Sequence, residues 1–375
     1  MRTFFRTFGF ALVLSLAVVG SSWYVMGVTF AGVVLILGVL EFTLSFDNAI
    51  VNSKILKRMS PKWQLVFLTA GIAIAVVGMR LAFPILLVVL TAHLGVAETW
   101  SLALNEPAKY AAALHEAHPA IVGFAGVFLL MLFLDWIFED HDLNWLGGFE
   151  RALGRLGKSD IVASMIAFAV LIFVALYFSR NHTEQMLIAG VLGWLSYQLV
   201  NLLDELTEEK AEAESAEAVA QRSGGNVKLA TGWAGFVLFL KLELIDASFS
   251  FDGVSGAFAV TSNIFAIMLG LGIGALWIRS LTVRVTRTGT LGKYVFLEHG
   301  AMYAIGSLAV LMFVGVTVEI PEAVTGLLGI IIIGAAYVSS RIYRKNNPEE
   351  VAEEAEEASG PLYQTAERPK TVSQI

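Results

Sequence analysis

The stretch LILGVLEFTLSFDNAIVN, residues 35–52, decides how the chain is read. It is apolar enough to lie in a bilayer, yet it carries Glu41 and Asp47. In water that pattern is ordinary. In hydrocarbon a mid-helix aspartate costs about 2.5–3.5 kcal/mol on insertion scales. Either the segment lies outside the membrane, or the acids form a site.

The rest of the chain places the segment in a membrane. Of 375 residues, 57% are hydrophobic and 15% charged, where a soluble domain has about 45–50% and 25%. The excess falls in runs of about 17–25 residues, long enough to cross a hydrocarbon core of about 30 Å. Ten spans are expected, at about 8–27, 28–53, 63–91, 119–138, 161–179, 184–203, 229–261, 263–281, 296–316 and 322–340. The fold class is therefore all-α, a polytopic membrane protein. The first span has a basic start in Arg2 and Arg6 but no clean small-x-small cleavage site, so it reads as uncleaved. There is no cysteine, which excludes disulfides, iron–sulfur clusters and thiolate metal sites. No nucleotide-binding loop, nucleophile elbow or nucleic-acid patch occurs, so neither a cofactor nor a nucleic-acid partner is expected.

Lysine and arginine set the orientation. Arg2 and Arg6, then Lys54, Lys57, Arg58 and Lys62, then Arg151, Arg155 and Lys158, fall on one side if ten spans are counted. Arg284, Arg287 and Lys293, and finally Arg341, Arg344 and Lys345, fall on the same side. The positive-inside rule makes that side cytoplasmic, with both termini there. The expected location is the bacterial cytoplasmic membrane. Four parts follow: a first membrane half at 1–203, an acidic helix and linker at 204–228, a second half at 229–343 and a disordered cytoplasmic tail at 344–375. The outer loop 92–118 should hold a short helix with Asn105 as N-cap and Pro107 in its first turn.

The opening stretch has an echo. EFTLSFDNA at 41–49 aligns with ELIDASFSFDGV at 243–254 through the shared SFD. Glu41 then matches Asp246, each six residues before its SFD aspartate, Asp47 or Asp252. Five spans separate the motifs, so the two halves have opposite topology. Inverted repeats in transporters place the site near the membrane midplane, on interrupted helices.

The two motif spans hold Glu41, Asp47, Glu243, Asp246 and Asp252. Isolated and ionised, five acids would cost about 12–17 kcal/mol. They must be protonated, paired, hydrated or neutralised by a cation. A six-residue offset turns about 600°, leaving the two motif acids about 120° apart on a regular helix. A local unwinding near each SFD would bring them to one centre, and Ser45, Asn48, Ser250 and Gly253 suit such a break. Glu243 and Asp246 share a face without it. Lys241 could pair with an acid, whereas Arg80 and Arg279 read as snorkelling anchors near span ends. Oxygen-only ligands suit Mg²⁺, Ca²⁺ or Mn²⁺. More negative charges than one such ion neutralises leave room for protons as well.

Other polar groups stand outside the repeat. Glu298 and His299 open span nine as a gate, a second metal contact or a wet helix end. His115 and His118 lack the spacing of a zinc-protease helix and read as a solvated loop. Glu139, Asp140, His141 and Asp142 read as a polar helix end.

LEFTLSFDNAIV and LELIDASFSFDGVSGAFAVTSNIFAI resemble the TerC family of integral membrane proteins. Glu41, Ser45, Asp47, Asn48 and Ala49 match its first motif. Glu243, Asp246, Asp252, Ala257, Thr261, Asn263, Phe265, Ala266 and Ile267 match its second. Gly253 departs from a usual serine. GIGALWIRSLTV and YVFLEHGAMYAIGSLA look more like a sister family of TerC. The resemblance implies a LysE-like transporter fold, manganese efflux and the older label of tellurite resistance. It would place Glu41, Asp47, Asn48, Glu243, Asp246 and Asp252 on the metal path. The residues themselves offer Ser45, Ser250, Glu298 and His299 as accessory groups. The expected function is thus a secondary transporter of a divalent cation, Mn²⁺ before Ca²⁺ or Mg²⁺, working with the lipid bilayer and with protons. The competitors are a non-transporting membrane partner in metal or tellurite stress, and an intramembrane metal-dependent enzyme. The second lacks a nucleophile or a histidine pair in the spans.

Overall fold

A computed structural model describes residues 2–92, 94–154, 160–219, 229–318 and 320–347. The described chain is α-helical, apart from one isolated bridge between Met59 and Ala230. Among the described residues, seven helices are long and apolar enough to cross a membrane, or eight if one bent pair is counted as a span. Ile161–Tyr177 is a shorter apolar helix. Gly232–Val260 matches the length of a span but carries Lys241, Glu243, Asp246 and Asp252. All ten expected segments are thus helical. The acids and lysine of the seventh keep it from qualifying on apolar composition.

The bent pair contains the opening stretch. The helix Val28–Leu44 ends at Ser45, and the half-helix Phe46–Arg58 leaves at 58° to it. Ser45 sits at φ −97° and ψ 23°, outside the helical well. Its N–H still bonds Glu41 O at 3.0 Å, while the bond from Ala49 N to Ser45 O lengthens to 3.4 Å. The expected break is therefore present in the first motif.

It is absent from the second. Gly232–Val260 runs as one α-helix through Asp246 and Asp252. Ser250 does not open the backbone, because its hydroxyl donates back to Asp246 O at 2.8 Å within the helix. The chain turns only at 261–263, where Asn263 Oδ1 accepts from Phe265 N and Ala266 N at 3.0 and 3.2 Å. That N-cap starts the helix Ile264–Arg287. The chain thus makes its hairpin turn just ahead of Ile264.

Two irregular stretches were not foreseen. Ile74–Ala82 and Val122–Gly126 are π-helical, the first within the long helical run Pro61–Ala92. In the outer loop, two helices form, Val96–Asn105 and Pro107–Glu116. Pro107 opens the second as expected, but Glu106 holds the cap position. Asn105 instead ends the first helix and donates to Ser101 Oγ at 3.0 Å. The helix Thr183–Val219 carries its span straight into the acidic segment. Residues 220–228 of the linker and 348–375 of the tail lie outside the described residues.

Ile264–Arg287 and His118–Ile137 are the most enclosed span helices, and the N-terminal helix is the least. Ile264–Arg287 packs on both arms of the bent pair and on the π-helical stretch Ile74–Ala82. Leu37, Ile50, Phe67, Leu242, Ile267 and Leu271 belong to one apolar core there. The apolar faces of the outer helices, such as Phe10, Leu16, Leu192 and Ile331, are exposed and suit lipid.

Candidate functional site

The helix hairpin around residues 261–263 sets the register of the site. Asp246 lies 14 residues before Val260, and Arg279 lies 15 after Ile264. An antiparallel pair brings them level. Arg279 donates Nη2 to Asp246 Oδ2 at 2.7 Å. It also forks onto Glu243, Nη1 to Oε1 at 2.9 Å and Nη2 to Oε2 at 3.0 Å. Its Nη1 reaches Phe67 O at 2.8 Å, and its Cζ lies 4.2 Å from the centroid of the Phe67 ring. Arg279 is 1% exposed.

The first half builds the same device. Arg80, 2% exposed, donates Nη2 to Glu41 Oε1 and Nη1 to Ala75 O at 2.7 Å. Its position in the π-helical stretch turns it inward. Arg80 and Arg279 are therefore not snorkelling anchors. Each is buried and neutralises motif acids, and each comes from the span that follows its motif. The repeat extends beyond the SFD strings to a carboxylate–guanidinium pair in each half. The two pairs are close enough that Asp246 acts electrostatically on Glu41, and Arg80 on Glu243 and Asp246.

Asp47 is held differently. It stands in the first turn of the half-helix, 6% exposed, and accepts from Asn48 N at 2.9 Å. The free amides and dipole of a helix N-terminus favour a negative charge there. Asp47 has no basic side-chain partner among the described residues. Asn48 turns its side chain the other way, donating Nδ2 to Asp246 Oδ1 at 2.7 Å. It also accepts from Asn52 Nδ2 at 2.6 Å. Asn48 thus ties the half-helix to the second motif, over 198 residues of chain. Glu41, Asp47, Asn48, Glu243 and Asp246 are all buried. The helix places the backbone of Asp252, whose side chain lies outside the described residues.

Three glycines make room for the pairs, and a Cβ on one of them, Gly274, would strike Cβ and Cγ of Glu41. A Cβ on Gly71 would stand 2.5 Å from Glu243 Oε1 and would also strike the Arg279 guanidinium. A Cβ on Gly253 would stand 2.8 Å from Glu41 Oε2. Gly253 therefore leaves space that a side chain would take from Glu41.

Of the accessory groups, Glu298 and His299 make their bonds outside this network. Glu298 pairs with Lys54 at 2.5 Å, where the two side chains are 29% and 56% exposed. His299 bonds Leu143 O at 2.9 Å and lies 3.8 Å from Glu150, whose other oxygen accepts from Tyr303 at 2.9 Å. His141 packs on Trp136 and bonds its carbonyl at 3.0 Å. His115 and His118 stack at 6.2 Å. Another acid in a span, Asp135, accepts from Tyr197 and from Asn201 at 3.2 Å. Among the described residues, no three histidine or acidic side chains are grouped so as to hold a metal ion.

The sequence reading passed over Arg80, Arg279 and Asn52 as functional groups. The arginines did leave a signal. In both halves a lone arginine sits inside the apolar run next after the motif, and hairpin register sets Arg279 beside Asp246.

Together these features define a polytopic all-α membrane protein with a buried carboxylate–guanidinium core shared by its two halves. The chain belongs to the family described as a protein of unknown function (DUF475), which it matches over residues 46–347. No curated protein and no solved structure matches it.

Proposed function

We propose that this protein is a secondary transporter that moves a divalent cation, Mn²⁺ first, out of the cell across a bacterial cytoplasmic membrane. The observation that carries the reading is Asp47. It is buried at the break between two half-spans, held by a backbone amide and not by a basic side chain among those described. An intramembrane acid in that position is costly unless a cation or a proton comes to it.

Beside it stand two acid–arginine pairs, one from each half. Two guanidiniums do not balance the five motif acids, and the surplus suits one divalent cation together with protons. Proton-coupled exchange follows from that surplus. Cation and guanidinium compete for the same carboxylates, so loading requires Arg80 or Arg279 to release a partner. Re-pairing after release keeps the acids from standing ionised and alone in hydrocarbon. The inverted order of the two motifs supports a site at the interface of the halves. Manganese and outward direction are supported by the likeness of the motifs to TerC, and by that alone. No side chain is given a catalytic role, and both termini lie in the cytoplasm in this reading.

Flux into vesicles tests it. Full-length protein in proteoliposomes should move radioactive manganese, and Asp47→Asn and Asp252→Asn should each stop it. Undiminished flux in both variants sinks the site. Absence of Mn²⁺, Mg²⁺ and Ca²⁺ flux in the native chain sinks the transport reading.

A further inference from the structure

A run of hydrogen bonds leads out of the acid–arginine core along the half-helix Phe46–Arg58. Asn48 donates to Asp246, and Asn52 donates to Asn48. Chemistry dictates this polarity. A carboxylate paired with a guanidinium only accepts, so Asn48 turns its amino group to Asp246. The Asn48 oxygen then faces the next turn, and Asn52 must also give its amino group. The run ends on Asn52 Oδ1, which has no hydrogen-bond partner among the described residues although Asn52 is only 1% exposed. Leaving a buried acceptor unpaired costs about 1–3 kcal/mol. Asn52 lies about 6 Å, just over one turn, closer than Asn48 to the exposed Lys54 end of the half-helix.

We propose that Asn52 Oδ1 is a cation ligand on the Lys54 side of the core, an uncommitted oxygen one turn beyond the Asn48 that bonds Asp246. A neutral amide oxygen coordinates a hard cation without adding charge that a proton could cancel. Asn48 acts as a positioning residue, because it occupies the Asn52 amino group and leaves the oxygen unpaired. This rests on the transport reading for its ligand, but its test does not need transport.

Mn²⁺ alone is titrated into the full chain in detergent, with free ion read by electron paramagnetic resonance, and flux is measured in parallel vesicles. Asn52→Leu keeps the bulk and removes the oxygen. It should weaken Mn²⁺ binding about tenfold or more, and raise KM while the maximal rate stays within about twofold of native. Asn52→Gln, which restores an amide, should recover part of the affinity. A loss of rate at unchanged KM marks a structural role and overturns the proposal. So does native affinity in Asn52→Leu, even if the native chain transports. Should Asn52→Leu fail to fold, Asn52→Ala reads the same loss. Weakened binding in a chain that moves no cation upholds the Asn52 ligand and overturns transport. A native chain that neither binds nor moves Mn²⁺ overturns both.

Discussion

Arg279 and Asp246 meet at 2.7 Å with both side chains shut away from solvent. Taking two charges out of water is expensive, so such a pair contributes little against an apolar replacement of both partners. Removing one partner is another matter. Arg279→Met leaves Glu243 and Asp246 buried without the guanidinium that bonds them and should cost about 3–5 kcal/mol. Thermal unfolding in detergent should show the loss, and the triple variant R279M/E243Q/D246N should regain part of it. Equal stability of the single and triple variants would contradict the pairing.

Gly71→Ala should destabilise by about 1–3 kcal/mol, the usual range for overpacking. The added methyl pushes on both Glu243 and Arg279, and both are buried and bonded to each other. Gly253→Ala should act through Glu41 alone and cost less. Denaturation midpoints compare the two, and a larger effect at Gly253 would reverse the assignment.

Lys54 and Glu298 form the contrasting case. Their side chains are 56% and 29% exposed. Water and salt screen such a pair, so Lys54→Met should change stability by no more than about 1 kcal/mol. Salt should erase what difference remains. A loss as large as that of Arg279→Met would mean that this bridge lies deeper than its exposure indicates.

The chain has no cysteine, so single cysteines report topology without background. Lys54→Cys should react with an impermeant thiol reagent from the cytoplasmic face. Glu106→Cys, between the two outer-loop helices, should react from the opposite face. Labelling of both from one side would exclude the orientation drawn from the basic loops.

The two motifs show what a linear reading reaches. The six-residue spacing of Glu41 and Asp47 placed the acids about 120° apart and called for a break. The bend at Ser45 supplies it. The same spacing at Asp246 and Asp252 drew the same expectation, and the helix there is unbroken. The difference is one of partners. In the second half, Glu243 and Asp246 already share a face three residues apart, and one guanidinium satisfies both without unwinding.

Composition, span length and the inverted echo of SFD determined by themselves that this is an all-α membrane protein with carboxylates at depth. Each of those features is local, and the cost of charge in hydrocarbon gives it meaning without a fold. The counter-charges were decided only by tertiary structure. Arg80 and Arg279 look like anchors in sequence because nothing local separates an arginine that reaches for the interface from one that turns inward. A π-helical stretch turns Arg80 inward, and the register of a helix hairpin sets Arg279 against Asp246. The orphan oxygen of Asn52 exists only because Asp246, 194 residues away, fixes the polarity of the bonds that end on it.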